Sequence, residues 1–255
     1  MLIDTHAHLQ MDKYANDRDD VISRAAEAGV ECIINASFDL NSSQQAVKLA
    51  EDYENLYATV GVHPHDAKLL DNEVLNALRG LAEHPKVVAI GEIGLDYYRD
   101  LSPRSAQKSA FEKQLRLAAE VGLPVVIHNR DAHEDALEIL RGHSDQVCGV
   151  MHCFSGDIAF ADDCIQMGLY VSFAGPVTYP KSYQLRDVAC HVPWDKFFVE
   201  TDCPYLTPQF RRGKRNEPSY VKAVAKKIAE IRGVTFPEVA RTTTSNARAF
   251  FGIAD

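Results

Sequence analysis

No run of the sequence approaches the roughly 18–20 uninterrupted apolar residues of a membrane span. The N-terminal stretch MLIDTHAHLQMD carries neither a basic n-region nor an apolar h-region. Neither a membrane protein nor a secreted one is expected, and the chain reads as cytoplasmic. Cysteine is sparse: Cys32, Cys148, Cys153, Cys164, Cys190 and Cys203 are scattered without a CxxC pair. That excludes a thiolate zinc ribbon and a disulfide-dense scaffold, and reduced thiols are expected. Net positive charge is missing as well, since 27 Lys and Arg face 36 Asp and Glu for a formal charge of −9. Such a balance argues against a protein that coats nucleic acid with its whole surface. Low-complexity tracts and linkers long enough to separate domains are absent. So are a GxSxG elbow and a Walker loop, and His133-Glu134 lacks the second histidine of a metalloprotease helix, Leu137 standing there instead.

What is present is the ordinary balance of a globular chain, 46% apolar and 25% charged. The length fits one or two domains at about 150 residues each, or one α/β barrel of about 250. Eight short β-branched runs recur: LIDTHAHL at the start, ECIINASF from Glu31, LYATVGVHP from Leu56 and VVAIGEIGLDY from Val87. PVVIHNR from Pro124, VCGVMHCF from Val147, LYVSFAGPV from Leu169 and FFVETDCPY from Phe197 complete them. Mostly apolar, each reads as a strand buried on both faces. Amphipathic segments separate the runs, and Gly29, Gly122, Gly142, Gly168 and Gly233 follow them where left-handed C-caps are expected. The pattern predicts an α/β fold, a (β/α)8 TIM barrel forming a single domain over residues 1–255. An extra C-terminal helix is capped by Thr235 with Pro237 near its first turn. A doubly wound sheet would place glycines after its first strand, where this sequence has HAHLQMDKY.

The histidines fall at the ends of these runs. His6 and His8 close the first, His63 and His65 the third, His128 the fifth and His152 the sixth, while Glu92 closes the fourth and Asp202 the eighth. In a barrel the C-terminal strand ends converge on one mouth, so residues distant in sequence meet there. His6 and His8, two apart on a strand, face the same way, and Asp4 with them. Imidazoles and carboxylates without thiolate suit Zn²⁺, Mn²⁺ or Mg²⁺ at a catalytic site. Four histidines and two carboxylates exceed one mononuclear site and fit two divalent ions about 3.5–4 Å apart. His6, His8 and Asp202 are assigned to one ion, His128 and His152 to the other, with Glu92 bridging. Asp202 also serves as the base that takes a proton from water. Glu200, two residues earlier, orients the water or a ligand histidine, or belongs to an interior hydrogen-bond network.

These residues lie in DTHAHL (Asp4–Leu9), GVHPH (Gly61–His65), GEIGLDYY (Gly91–Tyr98), VIHNRDA (Val126–Ala132), HCFSG (His152–Gly156), ETDCPYLTP (Glu200–Pro208) and RRGKRNEPSYV (Arg211–Val221). In them the sequence resembles the TatD family of metal-dependent deoxyribonucleases, a branch of the amidohydrolase-like barrels. The resemblance runs through nearly the whole chain. It implies a TIM barrel, divalent ions and 3′→5′ exonucleolytic hydrolysis of DNA, and single-stranded ends are the expected substrate. Related barrels bridge their metals with a carbamylated lysine; GEIGLD offers Glu92 and no lysine.

Candidate substrate contacts surround these ligands. His63 touches the scissile phosphate or a metal, or caps the rim. Asp96 holds substrate or a ligand imidazole, or caps a loop. Arg130, two past His128, is a phosphate clamp. Tyr97, Tyr98, Phe154 and Tyr205 either stack on bases or pack the rim. His65, His84, His143 and His191 are expected on the surface or in helix caps. Gln209–Lys227 carries seven basic side chains against Glu217 alone. Because it follows the eighth run, Arg211 and Arg212 in particular are candidates for nucleic-acid phosphate, whereas Lys222–Lys227 read as outer surface. Two other readings stay open. One is hydrolysis of an ester or amide, as in a D-aminoacyl-tRNA deacylase; the other is a metal-bound barrel that only binds.

Overall fold

The computed structural model describes residues 1–143, 145 and 148–254. Val147, where the sixth apolar run of the sequence begins, lies outside them. Among the described residues there are eight strands and nine helices. The strands are β1 (Leu2–Ala7), β2 (Val30–Asn35), β3 (Leu56–Val60), β4 (Val87–Asp96), β5 (Val125–Arg130), β6 (Gly149–Met151), β7 (Tyr170–Phe173) and β8 (Phe197–Val199). The helices are α1 (Arg18–Glu27), α2 (Leu40–Asp52), α3 (Asn72–Ala82), α4 (Arg104–Val121), α5 (His133–Arg141), α6 (Ile158–Gln166), α7 (Tyr183–His191), α8 (Val221–Arg232) and α9 (Phe236–Phe251). Among the described residues no helix is long and apolar enough to cross a membrane.

Helix limits follow from local chemistry. The Asp39 carboxylate accepts from Ser42 N at 2.6 Å while Ser42 Oγ accepts from Asp39 N at 2.9 Å, a reciprocal cap that starts α2. Glu238 accepts from Thr235 N at 2.9 Å and starts α9 at the expected cap. Gly122 and Gly233 end α4 and α8 with φ of 70° and 65°. Gly142 departs from expectation: its φ is −68°, and its N–H bonds to Ile139 O, so α5 ends in a tightened right-handed turn.

The chain divides into two compact units, Met1–Asn35 with Cys153–Asp162 and Tyr170–Asp255, and Ala36–His152 with Asp163–Leu169. In the first, β1 pairs with β2 and β7 with β8, all parallel. Asp202 N donates to His6 O at 2.9 Å, which sets the chain beyond β8 beside β1. Ile3, Ile33, Phe173, Phe197 and Phe198 are buried there. In the second, β3, β4, β5 and β6 pair in order, again parallel, over buried Leu56, Ile90, Ile93, Phe111 and Ile127. Eight strand–helix repeats along the chain, with parallel and consecutive neighbours inside each unit, are the (β/α)8 topology.

Two strand limits differ from the sequence reading. β4 runs on to Asp96, so Glu92 lies inside the strand, and β8 stops at Val199, so Glu200 and Asp202 lie beyond it. Asp202 has a φ of 56°, a left-handed conformation that aspartate tolerates better than most residues. One glycine is dictated by the site: Gly94, at φ 134°, lies opposite His128 in the β4–β5 ladder. A Cβ there would sit 2.0 Å from His128 O.

Candidate metal centre

Each unit gathers its own share of the expected ligands. In the first, His6 and His8 point their Nε2 atoms at each other from 3.3 Å. Asp202 Oδ1 stands 3.4 Å from His8 Nε2 and 3.8 Å from His6 Nε2. A tetrahedral centre with metal–nitrogen distances of about 2.0–2.1 Å separates its donor atoms by about 3.3–3.4 Å. The triangle therefore fits the edges of a metal polyhedron, built from the donor types that take zinc or manganese.

Asp4 holds this triangle together. Its carboxylate accepts from Thr201 N at 2.8 Å and from Thr201 Oγ1 at 2.6 Å. Strand β1, which carries His6, is thereby tied to the residue before Asp202. Burial pushes the Asp4 carboxyl up to about 8, against the lowering effect of those hydrogen bonds. Asn35 completes the frame, accepting through Oδ1 from Leu9 N at 3.0 Å, just past His8.

The second unit holds Glu92, His128 and His152. Glu92 Oε1 lies 2.8 Å from His128 Nδ1 and 2.8 Å from His152 Nε2, and those two nitrogens are 3.4 Å apart. Burial alone would raise the Glu92 carboxyl. Charge on His152 and His63, with hydrogen bonds from His128 and His152, outweighs it and holds the group well below the usual carboxylate range. His128 turns its other nitrogen, Nε2, to Asp96 Oδ2 at 3.0 Å. Burial favours neutral His128, yet the two carboxylates prevail and raise its pKa. Asp96 is itself fixed, accepting from Arg99 N at 2.7 Å and facing His65 Nε2 at 2.9 Å. Through Oδ2 Asp96 faces two imidazoles, and through Oδ1 it caps the turn at Arg99, so these contacts match two of its three alternatives. A carboxylate behind a metal-ligating histidine sets its tautomer and direction.

His63 Nε2 stands 3.4 Å from Glu92 Oε1, and with Glu92 and His128 it forms a group able to hold an ion. Its Nδ1 accepts from His65 N at 3.1 Å, so in the neutral ring the proton sits on Nε2. Burial lowers the ring to about 4. His65, expected on the surface or in a cap, is instead half-buried against Asp96. The Gly61–His65 motif carried that signal, since the two histidines share one tight turn. Clustered imidazoles and carboxylates in both units are the donor set of a divalent-metal protein.

Comparison with known proteins agrees. Residues 3–252 match the family described as TatD related DNase. The chain belongs to the TatD related DNase family. It is 48% identical over 254 residues to YabD of Bacillus subtilis, an uncharacterized metal-dependent hydrolase, covering 99% of this chain and 100% of that one. To the 3′-5′ ssDNA/RNA exonuclease TatD of Citrobacter koseri it is 40% identical over 259 residues, with 99% and 100% covered. The crystal structure of YjjV, a TatD homolog from Escherichia coli K12, superposes with a TM-score of 0.94 at 31% identity, over 99% of this chain and 98% of that one.

Around the expected ligands of this TatD-family chain, the other expected residues divide by what already engages them. Glu200 accepts from Cys153 N at 2.7 Å and from Ser172 Oγ at 2.6 Å, an interior network that fixes the peptide after His152. Tyr97 is committed: its hydroxyl donates to Asp135 at 2.6 Å and Arg104 covers its ring at 4.1 Å. Phe154 is buried in a stack on Phe160, so it packs rather than offering a face to a base. Tyr205 is 44% exposed, 6.2 Å from the His8 ring. Arg130 is exposed at the end of β5. Arg211 and Arg212 are exposed too, Arg212 lying over the Tyr179 ring at 4.0 Å. Arg215 is tied to the Asp17 carboxylate and to Lys13 O, which narrows the basic stretch available to a ligand.

Proposed function

We propose that this chain is a cytoplasmic, divalent-metal-dependent hydrolase, a single catalytic domain over residues 1–255, that removes nucleotides 3′→5′ from single-stranded DNA ends. The donor geometry carries the reading: imidazole nitrogens converge at 3.3 and 3.4 Å beside Asp202 and Glu92, in a family with relatives named as exonucleases. His6, His8 and Asp202 would hold one ion, His128 and His152 a second, with Glu92 shared between them; Zn²⁺, Mg²⁺ and Mn²⁺ all suit these donors. Bound ions supply charge that polarises a phosphate oxygen and lowers the pKa of a water towards neutrality.

The side chains do the rest. Asp202 accepts the proton of the attacking water. Glu200 acts beside it by fixing the Cys153 amide and, through the chain, the placement of His152. His63, with its proton on Nε2, donates a hydrogen bond to a non-bridging phosphate oxygen. Asp96 keeps the His128 proton on Nε2 and so leaves Nδ1 as the donor atom. Arg130, Arg211 and Arg212 pair with backbone phosphates.

The test uses oligonucleotides labelled at the 3′ or the 5′ end, with Mg²⁺ or Mn²⁺ and with chelator. Shortening from the 3′ end is expected, abolished by chelator and absent in Glu92→Ala. Shortening that persists in Glu92→Ala would mark a contaminant and defeat the reading. Intact oligonucleotides alongside hydrolysis of aminoacyl-tRNA would replace it with ester hydrolysis.

A further inference from the structure

Two tyrosines follow one another at the end of β4, and each has an arginine on its ring. Tyr97 is occupied by Asp135 and Arg104, and Lys108 holds Asp135 in turn at 2.8 Å. Tyr98 is different. It is 61% exposed, and the Arg130 guanidinium lies 3.8 Å from its ring centroid. Among the described residues the Arg130 guanidinium has no carboxylate or hydrogen-bond partner; the Tyr98 ring is what it touches. Stacking holds that planar guanidinium in place while its five N–H donors stay free.

The pair has a defined position. Asp96 lies opposite Arg130 in the β4–β5 ladder, and Gly94 lies opposite His128. Tyr97 N donates to Arg130 O at 2.9 Å, extending the ladder one step beyond Asp96. Arg130 is thus two residues past His128 on the same strand face, about 7 Å along the chain. An exposed aromatic face beside an uncommitted guanidinium matches the two repeating features of a single strand, a base and a phosphate.

We propose that Tyr98 and Arg130 form a clamp for one nucleotide near the end of a single-stranded nucleic acid, the base stacking on Tyr98 and the phosphate pairing with Arg130. This rests on the nuclease reading above. A paired base must leave its own stack to reach Tyr98, which an unpaired base does not. The clamp therefore selects unpaired ends. Tyr98 and Arg130 are positioning residues, expected to act on KM more than on kcat.

The experiment uses the full chain with its metals and 3′ ends that carry one abasic nucleotide, walked through the last three positions. Tyr98→Ala raises KM for the intact single strand roughly tenfold to a hundredfold with little change in kcat, and Tyr98→Phe restores it. Arg130→Ala raises KM and lowers the salt slope of binding by about one. At one of the three positions the abasic substrate raises KM for the parent and removes the further effect of Tyr98→Ala, the coupling that a base on that ring requires. Both side chains are exposed, so the variants should melt like the parent. The proposal is overturned if Tyr98→Ala leaves KM unchanged, or if its effect is the same at all three abasic positions. A parent that degrades no oligonucleotide overturns the nuclease reading and the clamp together. A parent that degrades them with Tyr98→Ala indistinguishable overturns the clamp alone.

Discussion

Asp96→Asn isolates the role of one buried carboxylate. Asp96 Oδ2 faces His128 Nε2 at 3.0 Å and His65 Nε2 at 2.9 Å, while Oδ1 accepts from Arg99 N at 2.7 Å. Asparagine fills the same space but brings one acceptor and an NH2 group. If its oxygen stays on Arg99 N, the NH2 points at two imidazole nitrogens, and His128 must move its proton to Nδ1. That nitrogen stands 2.8 Å from Glu92 and 3.4 Å from His152, where a lone pair is needed for an ion. If the amide flips, its NH2 confronts the Arg99 N–H instead. Either orientation loses one charge-assisted hydrogen bond, about 1.5–3 kcal/mol. At about 1.4 kcal/mol per factor of ten, metal affinity at the Glu92–His128–His152 cluster should fall about 10- to 100-fold.

The assay is competition for Zn²⁺ or Mn²⁺ against a chromophoric chelator, with thermal melting alongside. Two binding steps are expected in the parent, of which only one weakens in Asp96→Asn. Asp135→Asn, which removes a carboxylate from Tyr97 and Lys108 outside the cluster, should leave both steps unchanged. Parent-like affinity in Asp96→Asn would refute the orienting role. Equal weakening of both steps would refute the division of ligands between two ions.

Metal at about 100 times its Kd should stabilise the fold by about 2.7 kcal/mol. For a chain of this size that raises the melting temperature by roughly 5–11 °C over the chelated protein, and scanning calorimetry with no shift would oppose a folded-state metal site. Glu217 accepts from Arg24 at 2.8 Å and from Ser219 at 2.6 Å; burial raises its carboxyl but these contacts outweigh it and lower the pKa. A carboxyl depressed in the folded state stabilises fully above its unfolded value, near pH 4.3, and the gain is lost as pH falls through the folded value. The difference in melting temperature between the parent and Glu217→Gln should therefore shrink from pH 6 to pH 3.5, and a constant difference would contradict the shift. Reversing charge with Arg211→Glu and Arg212→Glu together should weaken oligonucleotide binding and flatten its dependence on salt; anisotropy titrations at two ionic strengths with the same slope as the parent would remove these residues from the phosphate path.

The repeat of strand and helix was legible because parallel strands buried on both faces read as short apolar runs, and the clustered imidazoles and carboxylates were legible because they fall in or just past those runs. His6 and His8 meet through a two-residue strand period, which a sequence displays openly. Their supports were not legible, because each depends on pairing between distant segments. Asp4 and Thr201 are 197 positions apart, and Glu200 reaches Cys153 across 47. For Asp96 three roles stay open in the sequence, since no local pattern reveals that it faces His65 and His128 at once. The same reason let Tyr97 stand as a candidate equal to Tyr98: only packing against Arg104 and Asp135 separates a committed ring from an exposed one.

The net charge of −9 gains a different meaning once side chains have partners. Of the seven cations in Gln209–Lys227, Arg215 is neutralised by Asp17, Lys227 reaches Glu230 at 2.8 Å, and Lys222 donates to Ala28 O at 3.2 Å. Arg211, Arg212 and Lys214 have no carboxylate partner among the described residues and lie in one exposed loop after β8. Charge that is already paired contributes little to a distant phosphate, whereas unpaired cations within a Debye length of about 8–10 Å attract it. An acidic chain can therefore hold a polyanion, provided that its few uncommitted cations are grouped and its carboxylates are occupied by imidazoles or ions. Asp202 and Glu92 are occupied in that way, each within 3.4 Å of a histidine nitrogen.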